Sequence, residues 1–173
     1  MWIYSRHCLA GSVRAKSHAS TVCNCFVHNF MNPLFSVYPH LEERLEWIDL
    51  GLTCARIEKF QTLPNTWVKR NDDISLIYGG NKAHRLAYML GEAKKQGKSH
   101  VITLGSLGSN HCVATAAYCN FLGMKCTTLL GPQPLTEYVR NNLKRLIYYK
   151  ADVRYINSNM LVGVAFYSWL RLR

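Results

Sequence analysis

Acidic residues are scarce in this sequence, which has 10 Asp and Glu against 21 Lys and Arg and a formal net charge of +11. A charge of that size can suit nucleic acid or an anionic surface. The basic residues are scattered, however, and they form neither a dense run nor a stripe interleaved with aromatic residues. We therefore expect no nucleic acid and no membrane among the partners, and a basic nucleic-acid-binding module is the weakest alternative.

The chain also lacks a hydrophobic run that is long enough to cross a bilayer. The apolar stretch MLVGVAFYSWL at 160–170 has only 11 residues, whereas a transmembrane helix needs about 20. The N-terminal region has no sustained apolar segment, which argues against secretion. We expect a soluble, cytoplasmic protein.

No CxxC pair occurs among the seven cysteines, and the only close pair is Cys23 and Cys25. An odd number of cysteines without framework spacing predicts reduced thiols. Cys112 and Cys119 lie seven residues apart on one face of a predicted helix, where we expect them to be buried apolar residues. The histidines are dispersed without the spacing of zinc ligands, so we predict no metal site.

The first 41 residues contain no acidic residue, but they include Arg6, Arg14, Lys16 and several serines. This composition is typical of an organelle transit peptide, which would allow organelle import. It equally suits sequence translated from upstream of the true start, since Met31 opens a more ordinary stretch. We therefore divide the chain into an N-terminal extension, transit-like or spurious, over residues 1–30 and a folded portion over residues 31–173.

From Thr66 onward, short apolar runs alternate with helical patterns. Strands are predicted at 66–70, 99–105, 125–131 and 151–156, and helices after Asn81 and over 109–123, 135–150 and 159–172. This alternation predicts an α/β fold with right-handed crossovers and a parallel sheet flanked by helices on both faces. The inner face of the helix over 135–150 is predicted to hold Leu135, Val139, Leu143, Leu146 and Ile147.

Two glycines, Gly79 and Gly80, precede Asn81 and Lys82 at the start of an amphipathic helix. Glycines permit unusual backbone angles and let another group approach closely. Asn81 is a favourable N-cap, so Lys82 is expected in the first turn. There the partial positive charge of the helix repels an ammonium and favours the neutral amine of a nucleophilic lysine. Taken alone, this lysine could also be a solvated surface residue. The apolar face of this helix is predicted to hold Leu86, Met89, Leu90 and Ala93.

A second glycine turn, TLGSLGSNH at 103–111, lies between a predicted strand and a predicted helix. Parallel sheets bind ligands at the carboxyl ends of their strands. The N-terminus of the next helix presents unpaired N–H groups that suit a carboxylate or a phosphate. The pattern is not the dinucleotide fingerprint G-x-G-x-x-G. Ser109 or Asn110 could also be a plain helix cap.

The segments WVKRND, YGGNKAHRLAYMLGEA and VITLGSLGSNHCVATAAYCNFLGMKC, in this order, resemble the 1-aminocyclopropane-1-carboxylate deaminase / D-cysteine desulfhydrase family. The similarity extends through GPQPLTEYVRNNL and covers about residues 31–156. It implies pyridoxal 5'-phosphate as the cofactor, a small amino acid as the substrate and the tryptophan-synthase β-like fold, also called fold type II. Dimers are the rule in that fold, so the resemblance implies a homodimer for a full-length chain.

The resemblance also implies roles for five residues. Lys82 matches the catalytic lysine that carries the cofactor covalently, and Asn81 would help to shape the cofactor pocket. Asn110 matches the asparagine that binds the ring hydroxyl of the cofactor and lies beside the substrate. Ser109 matches a catalytic serine that holds the substrate carboxylate and joins proton transfer. His111 occupies the next substrate-binding position, where family members carry His or Gln.

The chain departs from the family pattern in three places and in length. Family members often have Gln where Gly108 stands, and an acidic pair where this chain has Asn71-Asp72-Asp73. A proline-containing segment is replaced by LTCARIEKF. Family enzymes are also considerably longer, and their second half holds the phosphate cradle. We therefore interpret residues 31–173 as the N-terminal portion of a pyridoxal-phosphate enzyme, apparently truncated, whose second half is missing.

Two hypotheses about function follow. In the first, the protein is a pyridoxal-phosphate-dependent lyase or deaminase that releases ammonia and a 2-oxo acid from a small amino acid. In the second, it is a catalytically inactive truncated fragment. The sequence leaves D-cysteine, aminocyclopropane carboxylate and other amino acids open as substrates.

Overall fold

The computed structural model describes residues 32–157 and Gly163. The predicted extension over 1–30 and, apart from Gly163, the predicted helix over 159–172 lie outside the described residues. The described elements, in chain order, are α1 (Pro33–Val37), a 3₁₀ turn (Pro39–Leu41), β1 (Arg56–Lys59), β2 (Trp67–Arg70), α2 (Lys82–Lys95), β3 (His100–Ser106), α3 (Asn110–Phe121), β4 (Lys125–Gly131), α4 (Glu137–Tyr148) and β5 (Asp152–Tyr155). Among the described residues, no helix has the length and apolar character that crossing a membrane requires.

A three-stranded parallel sheet with the order β3-β4-β5 forms the centre of the fold. Its register sets Thr103 opposite Thr128 and Thr128 opposite Val153. The predicted α/β class, the parallel pairing and the three sheet strands are therefore confirmed. Because α3 and α4 connect these parallel strands, the carboxyl ends of β3 and β4 lie at the same edge of the sheet, where the connecting loops begin.

A separate antiparallel hairpin pairs β1 with β2, with Arg56 opposite Arg70. β2 coincides with the predicted strand at 66–70, but β1 was not predicted. Three of the four β1 residues are exposed, and three of the four are charged. A strand of this kind has no clear alternation of apolar and polar residues, so its signal in the sequence is weak.

The core lies between the sheet, α3 and α2. Every residue from Cys112 to Cys119 is buried, so α3 is covered on all sides along most of its length. Cys112 and Cys119 are both 0% exposed, as expected for cysteines that act as small apolar residues. α2 packs against α3 through Leu86 and Leu90. This packing brings the N-termini of two helices, each preceded by a glycine turn, into one structural unit.

The expectation that helices flank both faces of the sheet is wrong for the described residues. Each strand of the sheet pairs with the next strand along the chain, in the order β3-β4-β5. Right-handed crossovers between strands in this order place both connecting helices on the same side of the sheet. α3 accordingly contacts β3, β4 and α4, and α4 contacts β5, as expected for helices on one side of the sheet. On the opposite face, Ile102 is 65% exposed and Leu104 is 40% exposed.

The predicted inner face of α4 is partly wrong. Val139 and Leu146 are buried and Leu143 is half-buried, as predicted. Leu135 precedes the helix and is exposed, and Ile147 is 71% exposed. Ile147 follows Leu146 directly, and consecutive helical residues point in directions about 100° apart.

The predicted inner face of α2 is wrong at one position. Leu86 and Leu90 are buried and Ala93 is half-buried, but Met89 is 49% exposed. The buried residues of α2 are Ala83, Leu86, Ala87, Leu90 and Gly91, so the packed face is displaced toward Ala87 and Gly91 and Met89 lies at its margin.

Candidate active site

The turn before α2 is held by backbone contacts that require two glycines. A Cβ atom on Gly79 would overlap the carbonyl oxygen of Asp72. Gly80 has φ +103°, a conformation that favours glycine, and its N–H donates to the carbonyl oxygen of Asn71 at 2.5 Å. Gly79 therefore allows a close approach of two chain segments, and Gly80 supplies the backbone angle that turns the chain into the helix.

Lys82 is the first residue of α2 and is half-buried, in agreement with the predicted first-turn position. Asn81 occupies the predicted N-cap position, but the side-chain capping expected there is not formed. Asn81 has φ −65° and ψ −13°, and its side chain makes no capping hydrogen bond. These angles are already helical, whereas a capping side chain reaches the free N–H groups from an extended backbone. The exposed carboxamide of Asn81 is therefore not engaged at the helix start.

The second turn presents Ser109 as the N-cap of α3. Its Oγ accepts a hydrogen bond from the Cys112 N–H at 3.3 Å, which confirms the predicted cap. A Cβ on Gly105 would lie 2.6 Å from Ser109 Oγ and 2.7 Å from Cys112 Sγ. Gly105 thus lets the strand end pack directly against the serine. Oγ accepts from the helix, so the Ser109 hydroxyl still has a hydrogen to donate, and in this structure the side chain also interacts with the Cys112 thiol, where it opposes the burial that raises the pKa of that thiol.

The first two N–H groups of α3 belong to Asn110 and His111. Neither has an acceptor within the part of the chain that the structure describes. Free N–H groups at a helix start, together with the helix dipole, favour an anion. The start of α3 can therefore bind a carboxylate, next to the Ser109 hydroxyl.

Gly108, a position where the chain departs from the family pattern, lies in a closely packed part of this turn. Its N–H donates to Gln133 Oε1 at 2.9 Å. A Cβ at this position would lie 2.9 Å from Val139 Cγ2 and 3.1 Å from Gln133 Oε1. A glutamine at position 108 would therefore need a rearrangement of its neighbours. In this chain the carboxamide that contacts the turn belongs to Gln133, in the loop that follows β4.

Asn110 connects the two turns. Its Oδ1 accepts hydrogen bonds from Asn142 Nδ2 at 2.9 Å and from the Tyr78 hydroxyl at 3.4 Å. Tyr78 immediately precedes the two glycines of the first turn, so both turns meet at this carboxamide. Burial raises the pKa of Tyr78, while the charge of Arg145 opposes that rise. The Tyr78 hydroxyl therefore keeps its proton at neutral pH and can act as a donor.

An open cleft of about 530 Å³ lies beside the first turn. It is lined by Asp72, Tyr78, Gly79, Gly80, Arg145 and Tyr149. Cavities of about 300–1,000 Å³ are typical of sites for small molecules. Sequence reasoning missed Tyr78, Asn142 and Arg145 as neighbours of this site. Asn142 did leave a signal, because it lies three residues after Val139 and four before Leu146, on the apolar stripe of α4.

His111 lies close to the lysine of the first turn. Burial lowers its pKa below the ordinary value of 6.5, and the positive charges of Lys82 and Arg85 lower it further. The ring also lines an apolar cavity of about 90 Å³ between α2, β3 and α3. At neutral pH the imidazole is therefore uncharged and has one nitrogen that can accept a hydrogen bond.

This shift in pKa predicts that the protein loses stability as the pH falls. The folded-state pKa of His111 lies below 6.5, so between the two values the unfolded chain binds more protons. The free energy of unfolding should therefore decrease as the pH drops below about 6.5. Denaturant titrations between pH 7.5 and pH 5 should show a smaller decrease for His111→Gln.

A second histidine with a lowered pKa extends this experiment. Partial burial lowers the pKa of His84 as well, and the charge of Lys69 lowers it further. His84→Gln should therefore also remove part of the decrease, and the double variant should remove more than either single variant. A His111→Gln protein with the same pH dependence as the wild type would contradict the prediction.

A comparison with known protein families bears directly on this pair of turns. The family model for pyridoxal-phosphate dependent enzymes matches residues 52–165, a range that contains both. The chain belongs to the family of pyridoxal-phosphate dependent enzymes. Its cofactor is thus the one that the resemblance implied, and the similarity to the deaminase and desulfhydrase enzymes is confirmed by individual relatives.

Three curated proteins show the range of these relatives. Nocardicin C-9' epimerase of Nocardia uniformis subsp. tsuyamanensis is 42% identical over 77 residues, which are 44% of this chain and 24% of that protein. The mitochondrial bifunctional D-cysteine desulfhydrase/1-aminocyclopropane-1-carboxylate deaminase of Arabidopsis thaliana is 39% identical over 42% of this chain and 19% of its own length. D-cysteine desulfhydrase of Yersinia pestis (strain Pestoides F) is 33% identical over 58% of this chain and 33% of its own length. The chain thus spans a third or less of each.

Solved structures support the same fold. The structure of an ACC deaminase homologue superposes with a TM-score of 0.59 at 27% sequence identity, over 73% of this chain and 38% of that chain. A hydrogen sulfide-producing enzyme from Fusobacterium nucleatum gives a TM-score of 0.50 at 14% identity, over 70% of this chain and 40% of its own, and shows a shared fold only. The predicted tryptophan-synthase β-like class is confirmed at the level of the fold.

The described residues fit pyridoxal phosphate at three points. Lys82 offers an amine at the start of a helix and is only half-buried. Asn110 is exposed, and its Nδ2 has no partner within residues 32–157. Gly79 and Gly80 line the cleft without a Cβ, so a flat ring can approach the backbone there.

Proposed function

We propose that the protein is a pyridoxal-phosphate-dependent lyase or deaminase for a small amino acid, of the D-cysteine desulfhydrase or 1-aminocyclopropane-1-carboxylate deaminase type. The products would be ammonia and a 2-oxo acid. The observation that carries the proposal is the joining of two turns by Asn110. It accepts from Tyr78 of the Lys82 turn while it lies at the helix start that Ser109 caps.

Lys82 and Asn110 are assigned to the cofactor. When bound, pyridoxal phosphate supplies an electron-withdrawing ring that stabilises negative charge on the substrate carbon. The Nζ atom of Lys82 would hold the cofactor and would move a proton at the substrate. The Nδ2 group of Asn110 would donate to the ring oxygen, and Asn81 would contribute to the wall beside Lys82.

Ser109, Asn110 and His111 are assigned to the substrate. The N–H groups of Asn110 and His111 and the hydroxyl of Ser109 bind the carboxylate at the start of α3. The neutral imidazole of His111 can accept a hydrogen bond without adding positive charge beside Lys82. A substrate held in this way is oriented by its carboxylate, which is common to all amino acids, so these residues do not select one side chain over another.

The relatives' names support more than one reaction. The epimerase and the bifunctional desulfhydrase/deaminase are 42% and 39% identical over 44% and 42% of this chain. Similarity over such short segments does not separate the reactions, and we favour the lyase or deaminase type because several relatives have these names. The alternative is a chain without catalytic activity of its own.

We also propose a homodimer for the full-length protein and a cytoplasmic location. Import into an organelle would follow if residues 1–30 are translated as part of the protein. Light scattering, which measures the molecular mass in solution, tests the homodimer. The location is tested with fluorescent fusions that contain or lack residues 1–30.

Reductive trapping should identify Lys82 as the cofactor lysine. Treatment with pyridoxal phosphate and then borohydride is expected to attach one pyridoxyl group per chain, and peptide mass mapping should locate it on Lys82. The reason is that Lys82 is half-buried at a helix start, two residues after Gly80, which lines the cleft. Lys94, in the last turn of the same helix, is the internal control. Stoichiometric labelling of Lys94 or Lys69 would contradict the assignment, and labelling of Lys82 without release of ammonia would favour the inactive alternative.

A further inference from the structure

Asn142 is a polar residue at a fully buried position. It is 0% exposed, in the middle of α4, between the buried residues Val139 and Leu146. Its Nδ2 donates to the Gly108 carbonyl oxygen at 2.8 Å and to Asn110 Oδ1 at 2.9 Å. Its Oδ1 accepts from Arg145 Nη1 at 3.2 Å. Both hydrogens of its amide are thus used at the second turn.

These bonds fix the orientation of the Asn142 carboxamide first and, through it, that of the Asn110 carboxamide. A backbone carbonyl can only accept, so the Gly108 oxygen requires the NH₂ group of Asn142 to face the turn. The second hydrogen of that group then points at Asn110 and requires an oxygen there. The Tyr78 hydroxyl donates to the same oxygen. Asn110 must therefore turn its Nδ2 away from both residues.

We propose that Asn142 is a positioning residue, which holds the carboxamide of Asn110 so that its Nδ2 faces the cofactor ring as a donor. The inference rests on the proposed function for the identity of the ligand. Without Asn142, the carboxamide of Asn110 can rotate and present its oxygen to the ring oxygen, which replaces an attraction with a repulsion. Tyr78 supports the same orientation through one longer hydrogen bond.

The variant Asn142→Leu tests the proposal, because leucine has a similar size and no hydrogen-bond donor. A donor to the ring oxygen stabilises its deprotonated form. Loss of that donor should raise the pH midpoint of the visible absorbance of bound pyridoxal phosphate by about one pH unit. Asn141→Leu, at the exposed neighbouring position, is the matched control and should leave the midpoint unchanged. An unchanged midpoint in Asn142→Leu would overturn the proposal.

A double variant separates positioning from a general structural effect. In an Asn110→Ala protein, Asn142→Leu should cause no further shift of the midpoint, because no carboxamide remains to be oriented. A shift of the same size in both backgrounds would overturn the proposal. If Asn142→Leu does not fold, Tyr78→Phe removes the other donor to Asn110 and should raise the midpoint by a smaller amount. An unchanged midpoint in that protein would count against the proposal.

A measurement without the cofactor distinguishes this inference from the proposed function. Absence of a pyridoxyl group on Lys82 in the wild-type protein would refute the function. The orientation would then be judged from the side-chain amide hydrogens of Asn142 by nuclear magnetic resonance. Both should exchange slowly in the wild type, and one of them should exchange faster in Asn110→Ala. Fast exchange of both in the wild type would overturn the hydrogen-bond arrangement itself.

Discussion

Lys82→Ala is expected to lower kcat of the enzyme by about 10³-fold or more. The substitution removes the amine that holds the cofactor and moves the proton at the substrate, and no other described lysine begins a helix beside the cleft. Release of sulfide from D-cysteine and of ammonia from aminocyclopropane carboxylate measures the loss. The variant should also lose its cofactor absorbance on gel filtration, because only non-covalent contacts remain.

Two controls make this experiment specific to the amine. Lys94→Ala makes the same change in the last turn of α2 and should keep wild-type activity. Addition of methylamine should restore part of the rate to Lys82→Ala, since a free amine can replace the missing proton carrier but not the missing anchor. Turnover of Lys82→Ala within about tenfold of the wild type would remove Lys82 from the mechanism.

The parts of the fold that the sequence predicted are those with local signals. The strands at 100–106 and 125–131 are short apolar runs that end at a turn, and α2 and α3 have clear helix starts. β1 was missed because a charged hairpin strand is stabilised by pairing with β2 rather than by burial of alternate residues. The exposure of Ile102 and Leu104 among the described residues was missed as well, because strand order decides which side a helix covers, and strand order is a property of the whole fold.

At the candidate site, too, the features with local sequence signals were predicted and those that depend on distant residues were not. Lys82 and Ser109 take the predicted positions because glycine turns and helix starts are local features. Asn81 is the N-cap residue as predicted, but its side chain makes no capping bond because the backbone at this residue is already helical. Tyr78 and Asn142 could not be assigned from spacing, since they contact Asn110 from positions 32 residues away on either side along the chain. A polar residue on an apolar helix stripe indicates a buried partner, but it does not say which partner.

Gly79→Ala should be the most damaging glycine substitution in the first turn. The added Cβ would overlap the backbone carbonyl oxygen of Asp72, and a backbone atom cannot move away as a flexible side chain can. The turn would have to open, at a cost of about 3 kcal/mol or more in the free energy of unfolding. Denaturant titration measures this loss. Because Lys82 lies three residues further along, pyridoxyl labelling at Lys82 should fall as well.

Gly97→Ala, just past the other end of α2, is the control for this substitution. Gly97 has φ +69° and nothing lies within 4 Å of a Cβ built there, so alanine meets backbone strain but no overlap. That strain costs about 1 kcal/mol, and labelling of Lys82 should be unaffected. The two variants therefore differ in the steric contact with Asp72 and in the distance from the cleft. Equal losses of stability, with Lys82 still labelled in Gly79→Ala, would show that the close approach of Asp72 to Gly79 does not hold the lysine in place.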